Sequence, residues 1–272
     1  MDRLMCLHAQ SSGLPLEVWV NGVPVLSLPA GVTSQSVTVH EFLHSGSNRI
    51  SLVVATPPVA VALGAPEVPA EPRLAAAPAW AHARLVLLRQ GKSLADEAIR
   101  VLAEVGWAVK EGESYTAPTA CHQDLDLPVS FPRWRWLDAP VQAPTVQDKH
   151  RVLAEIQRLA FDLSRGRPDS LLAACRLKLE ELDHAYQRPA GHGAAALRQQ
   201  VQSLWEAGVL ATLTPPEANS LLLRPVAEGR LLEALSPTGA PVLATRNDEQ
   251  AVGNIAWPLR LTLIEGNVYV LR

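Results

Sequence analysis

Cysteine is scarce in this chain. Cys6, Cys121 and Cys175 are three in number, far apart, and never in a Cys-x-x-Cys pair. An odd, scattered set excludes a disulfide framework and a zinc ribbon. Charge of one sign is also missing: 24 Lys and Arg stand against 27 Asp and Glu, a net charge of −3. Up to residue 140 there are ten basic and thirteen acidic residues, and beyond it fourteen of each. Neither part is a polycation, which argues against a nucleic-acid partner. The longest weakly polar run, ISLVVATPPVAVALGAPEVPA (50–70), is broken by prolines before it reaches the ~20 residues of a membrane span. The opening MDRLMCLHAQSSGLPLEVWV has no basic region followed by an uninterrupted apolar segment, so no signal peptide is expected. These absences lead us to expect a cytoplasmic protein that engages neither membrane nor nucleic acid. Its Ala, Leu, Arg and Pro bias is that of a GC-rich bacterial genome.

Catalytic signatures are missing too. No Gly-x-Gly-x-x-Gly, Gly-x-Ser-x-Gly or His-Glu-x-x-His occurs. Gly91-Lys92-Ser93 ends like a phosphate-binding loop, but Val86 stands where that loop requires its first glycine, so the backbone cradle would be lost. No cofactor and no metal is expected.

At 272 residues, 48% hydrophobic and 19% charged, the chain is long enough for two domains of roughly 130 residues each. The first 140 residues have the period of strands. LPLEVWV sets Leu14, Leu16, Val18 and Val20 on one face; Asn21-Gly22 and VPVLSL follow, the strongest short-range hairpin signal. SVTVHEFL (36–43) alternates again, and HSGSNRISLVV is a turn followed by Ile50, Leu52 and Val54. Further strands are expected in the opening stretch, at 83–89 and at 101–109. Seven or eight short strands predict an all-β sandwich over 1–140. Residues 56–80 hold six prolines and read as a Pro/Ala-rich excursion.

Asn21, Gly22, Leu43, Gly46, Asn48 and Ile50 stand in an order that resembles the galactose-binding-like jelly-roll modules, including the sandwich domains of family-two glycoside hydrolases. The likeness covers about forty residues and implies a jelly-roll fold. The matching residues make turns, and no sugar- or calcium-binding loop of that family has a counterpart.

DAPVQAPT (138–145) reads as a boundary, after which the period changes. Helices are predicted at about 147–165, with Val152, Ile156, Leu159, Ala160 and Leu163 inward and Gly166 as the stop; at 169–186; and at 193–207, with Leu197, Val201, Leu204 and Trp205 inward. Strands are expected at NSLLLRPVAEG, RLLEALSPTG, APVLATR and PLRLTLIEG-NVYVLR, the last pair a hairpin around Glu265-Gly266-Asn267. Three helices followed by antiparallel strands predict an α+β domain over 146–272. This element order resembles the cone of nuclear transport factor two, a fold shared by ketosteroid-isomerase-like enzymes and many non-catalytic proteins.

The densest chemical cluster is LPVSFPRWRWLDAP (127–140), with Arg133, Trp134, Arg135 and Trp136. In a continuous strand, Trp134 and Trp136 would have opposite parity to Leu127, Val129 and Phe131. A bulge at Pro132 would put all five in one core and leave both arginines at a rim. Without it, the indoles would form a sugar-stacking platform, and two guanidinium groups would be forced inward at several kcal/mol apiece. Glu181-x-x-His184 has the spacing of a di-iron helix motif but occurs once, where such sites need it twice. His40 and His44 flank Glu41 and would need a third metal ligand. A pocket in the second domain could be lined by His184, Tyr186, Arg224 and Asp248. Cys175 falls on an apolar helix face as a core residue. By elimination, the expectation is a non-catalytic binding protein with a protein partner, such as a bacterial immunity or adaptor protein for a toxin or secretion-system effector. The alternatives are a carbohydrate-binding module using exposed tryptophans, and a small-molecule enzyme or binder with a pocket in the second domain.

Overall fold

The computed structural model describes residues 3–55, 71–89, 99–127, 130–245 and 255–272. The Pro/Ala-rich excursion is described only over its last ten residues. Gly91-Lys92-Ser93 and Asp248 lie outside the described residues. The chain consists mostly of antiparallel sheet, with three helices of seven or more residues. It divides into two compact units, and among the described residues the division falls between Arg133 and Trp134.

The first unit holds two four-stranded antiparallel sheets. One has the order β4-β1-β7-β8, built from β1 (Arg3–Ser11), β4 (Ser34–Thr38), β7 (Ala79–Arg89) and β8 (Arg100–Val109). The other, β10-β5-β2-β3, uses β2 (Leu16–Val20), β3 (Val23–Leu28), β5 (Gly46–Val54) and β10 (Thr119–Leu127). A small pair joins β6 (Glu71–Leu74) to β9 (Ser114–Ala117). Alternation decides the core: Leu7, Leu16, Val18, Val20, Leu52, Val54, Ala83 and Leu85 are all buried.

Asn21 and Gly22 both have positive φ, 51° and 74°. That is the requirement of a type I′ turn between β2 and β3. Asn21 also donates through Nδ2 to Phe42 O and to Asn48 Oδ1, both at 2.8 Å. Asn48, buried, takes His44 N–H on Oδ1 (3.0 Å) and donates through Nδ2 to the carbonyls of His44 and Gly46, each 2.8 Å away. Asn21, Gly46 and Asn48, three of the residues carrying the jelly-roll resemblance, thus take part in a hydrogen-bonded clasp between the β2–β3 turn and the start of β5.

Two expectations for this unit need correction. SVTVHEFL is not one strand: β4 stops at Thr38, and His40–Phe42 form a 3₁₀ turn. His40 and Phe42, two residues apart, are both buried there, and Val39 leaves the β region with φ −134° and ψ 17°. β9 and β10 had no counterpart among the expected strands. One face of β10 is exposed and the other only partly buried, where Thr119 and Gln123 interrupt Cys121, Leu125 and Leu127, so its apolar alternation is weak.

The second unit begins with Trp134 and includes α1 (Val146–Leu163), α2 (Asp169–Ala174), α3 (Arg176–Ala185) and α4 (His192–Glu206). A capping box starts α1: Thr145 and Asp148 satisfy each other's backbone N–H groups. The expected helix 169–186 is divided at Cys175, where φ −91° and ψ 4° leave helical geometry. A four-stranded sheet follows in the order β11-β12-β13-β14: Leu222–Val226, Leu231–Leu235, Arg260–Ile264 and Asn267–Val270. Its last hairpin turns on Glu265 and Gly266, with φ 50° and 79°. APVLATR contributes only isolated bridges, Leu235 to Pro241 and Ala244 to Ala256. One face of the sheet, with Leu223, Leu232, Ala234, Leu261 and Val270, joins Val152, Ile156, Leu159, Leu163, Leu171 and Val201 in a single core. The segment after Trp136 serves the other face. Gln142 donates through Nε2 to Thr262 Oγ1 (2.6 Å) and Leu263 O (2.8 Å), and Arg230 reaches Ala139 O at 3.0 Å. No described helix is long and apolar enough to cross a membrane.

Candidate functional site

Trp134 and Trp136 are buried, at 1% and 2% exposure, while Arg133 and Arg135 are exposed. The partition of indoles inward and guanidinium groups outward follows from burial energetics, but the expected device does not exist. There is no bulged strand at Pro132. Residues 130–134 are irregular, and Arg135–Asp138 form a 3₁₀ turn. Both tryptophans belong to the second unit rather than to a sandwich core. Neither indole is available as a stacking platform, which removes the carbohydrate reading built on this pair.

What this segment does is structural. Glu181 on α3 accepts the Arg135 backbone N–H at 2.7 Å and pairs with Arg272 Nη1 at 2.5 Å. The Arg272 guanidinium, 1% exposed as a side chain, also lies 5.6 Å from the Trp134 ring centroid. Arg135 returns to α3 through Leu177 O and Glu180, each at 3.1 Å. Glu181 is therefore committed to a buried ion pair, whereas His184 of the same Glu-x-x-His points to solvent. Between them, Asp183 accepts Gly193 N–H at 2.8 Å, placing a carboxylate at the start of α4.

Of the four residues conjectured to line a pocket in the second domain, three are described. His184 is exposed, Tyr186 is half-buried with Arg188 5.1 Å from its ring centroid, and Arg224 is held by Glu233 at 2.6 Å. Glu233 is shared with Arg260 at 3.0 Å, a buried carboxylate between two guanidinium groups. His40 is likewise structural. Its Nε2 accepts the Met5 backbone N–H at 2.7 Å, Phe131 stands edge-on at 6.2 Å, and burial pushes its pKa down to about 4. His44 turns its Nδ1 to Ser45 O. No described group of three or more His, Cys, Asp or Glu could hold a metal. Cys175 is buried in the core, and that burial raises its pKa.

The surface feature that sequence reasoning missed lies where α1 and α4 end. Phe161 is on the opposite side of α1 from Leu159, Ala160 and Leu163, and is 47% exposed. Arg165 closes over its ring, with Cζ 3.5 Å from the centroid, and donates to Phe161 O at 3.1 Å. The next residue, Gly166, adopts φ +68°. A Cβ there would sit 2.5 Å from Trp205 Cγ, so the indole rests directly on the glycine backbone. Trp205 was expected to face inward, yet it is 48% exposed. Val201 takes the buried position on α4, Leu197 and Leu204 pack partly beside it, and Trp205 falls at the border of that stripe. Two half-exposed rings held by one arginine and one glycine make a preformed aromatic surface. An arginine N–H two positions from a helix end beside Gly is a weak sequence signal, and only the helix phase could have placed Phe161 outside.

No protein-family model matches the chain, and no curated protein matches it. Among solved structures the chain is similar to "putative beta-galactosidase from bacteroides fragilis", at 12% identity and a TM-score of 0.16. The match covers 47% of this chain and 25% of that one, so the chain spans about a quarter of that protein's length. A TM-score of that size carries no argument about fold or activity, and no family is established by these comparisons.

Proposed function

We propose that this is a non-catalytic, cytoplasmic binding protein whose partner is another protein, in the manner of a bacterial immunity or adaptor protein for a toxin or secretion-system effector. The observation that carries this reading is the Phe161–Arg165–Trp205 surface. Aromatic residues are only 5% of the chain, and two of them spend about half their area in water here. Covering roughly 100 Å² of each ring on a partner contributes on the order of 2 kcal/mol per ring. Trp and Arg are the side chains most enriched at the energetic centres of protein interfaces. Both rings are held in place before binding, which lowers the ordering cost. The fold assignments belong to the same reading. Sheet orders β4-β1-β7-β8 and β10-β5-β2-β3 support a jelly-roll sandwich for the first unit. Helices preceding a four-stranded antiparallel sheet support a cone-like domain for the second.

The test is photo-crosslinking and co-purification from the native cell with the full chain, comparing wild type with Phe161→Ala/Trp205→Ala. We expect one protein to be retained stoichiometrically by wild type and lost from the double variant, with the melting temperatures showing both folded. Equal capture by the two proteins, or none by wild type, refutes the reading.

A further inference from the structure

The outer face of the sheet β4-β1-β7-β8 presents a second set of side chains that the protein-binding surface does not use. Across the strands, Gln10 stands opposite His82 and Gly106, while His8 stands opposite Ser36, Arg84 and Glu104. Trp80, one step along β7, stands opposite Ala108. It is 43% exposed, and its ring stacks on His82 at 5.3 Å with an interplanar angle of 15°. The Trp80 backbone is tied on both sides, accepting Ser12 N–H at 2.9 Å and donating to Ser12 Oγ at 3.0 Å.

Gly106 is the informative residue. It lies inside β8, where glycine costs about 0.5–1 kcal/mol relative to alanine. Its φ is not positive, and a Cβ would meet only Ala81 O at 3.7 Å and His82 Cβ at 3.8 Å, ordinary contacts. Neither backbone conformation nor packing therefore requires glycine there. Such a glycine in a strand fits a place where a ligand approaches the backbone closely. With Ala108 beside it, Gly106 leaves β8 nearly bare next to the Trp80–His82 wall, forming a shallow trough along the sheet.

The chemistry around the trough is polar and electrically balanced. His82 Nε2–H donates to Gln10 Oε1 at 2.9 Å, His8 Nδ1 lies 2.8 Å from Ser36 Oγ, and Arg84 is paired with Glu104 at 3.0 Å. Burial, with the nearby Arg84 charge, lowers both imidazole pKa values, which favours the neutral ring in each. The ring stacked on the indole is an imidazole, and the side chains that share this face of β1, β7 and β8 with it, Gln10, His82, Arg84 and Glu104, are polar. We propose that this trough binds a neutral saccharide, one sugar ring laying its C–H face on Trp80 while hydroxyl groups bond to Gln10, His82 and the Arg84–Glu104 pair. The proposal is independent of the protein-binding reading, because the two surfaces share no residue.

The test is titration of the full-length protein with neutral gluco-, xylo-, manno- and galacto-hexasaccharides, following tryptophan emission and heat. A printed array of neutral glycans widens the search. Saturable binding with a Kd of about 1 mM or tighter for at least one neutral glycan is expected. Trp80→Ala should weaken it by about tenfold or more. Gly106→Val fills the trough with a strand-favouring side chain, so it should abolish binding while the melting temperature holds. Trp205→Ala should leave binding unchanged. Absence of saturable binding to any glycan up to about 10 mM overturns the proposal. So does binding that survives both Trp80→Ala and Gly106→Val, or Trp80-dependent capture of aromatic peptides without glycans.

Discussion

His40 supports a quantitative pH prediction. Its imidazole is buried, its Nε2 takes the Met5 N–H at 2.7 Å, and its folded pKa is about 4 against an ordinary value of 6.5. The folded state therefore binds fewer protons than the unfolded state between those limits, and stability must fall as pH drops through that window. The full effect is about 3 kcal/mol, of which roughly 2 kcal/mol is lost between pH 7 and pH 5. Protonating Nε2 also removes the acceptor of the Met5 N–H, so the two costs have the same sign. The assay is urea denaturation at both pH values, comparing wild type with His40→Gln, whose amide oxygen can still accept that N–H. Because His8 and His82 are also shifted down, wild type retains a slope from them, and the difference between the proteins isolates His40. The lowered carboxylates Asp124 and Asp148 act near and below their ordinary value of 3.8, beneath this window. Equal losses in wild type and variant between pH 7 and pH 5 would show that His40 is not held neutral by burial.

Three further outcomes are expected from denaturation of single variants. Glu181→Ala leaves Arg272 and the Arg135 N–H without their carboxylate and should cost about 3–5 kcal/mol, with the double variant Glu181→Leu/Arg272→Met recovering a large part. Asn48→Ala removes four hydrogen bonds of the β2–β5 clasp and should cost about 2–4 kcal/mol; a loss under roughly 0.5 kcal/mol would show that water replaces the amide. Gly166→Ala introduces a Cβ at 2.5 Å from the Trp205 ring at a φ of +68°. It should cost about 1–3 kcal/mol and shift Trp205 emission, whereas an unchanged spectrum would mean that the indole does not rest on Gly166.

Local chemistry made parts of the fold legible. Asn21-Gly22 announced its turn because two adjacent positive φ values suit few other pairs. Gly166 after Leu163 marked the end of α1 for a similar reason, whereas the Thr145–Asp148 capping box that starts it emerged only in the structure. The break at Cys175 was not legible, since no proline or glycine marks it. Nor was β10, whose TACHQDLDL has one face in water and another on which Thr119 and Gln123 interrupt the apolar positions.

The tryptophan segment shows where the sequence stops. Its composition was enough to say that indoles go inward and guanidinium groups outward, because the difference in desolvation cost holds in any fold. Which unit receives the indoles, and that Glu181 and Arg272 meet there across 91 positions, depended on pairings between distant elements. The same holds for Phe161, Trp205 and Trp80: being aromatic is written in the sequence, but being half in water is not. Local dihedral preference and hydrophobic period act within a few residues, whereas a surface exists only after every element has chosen what it buries.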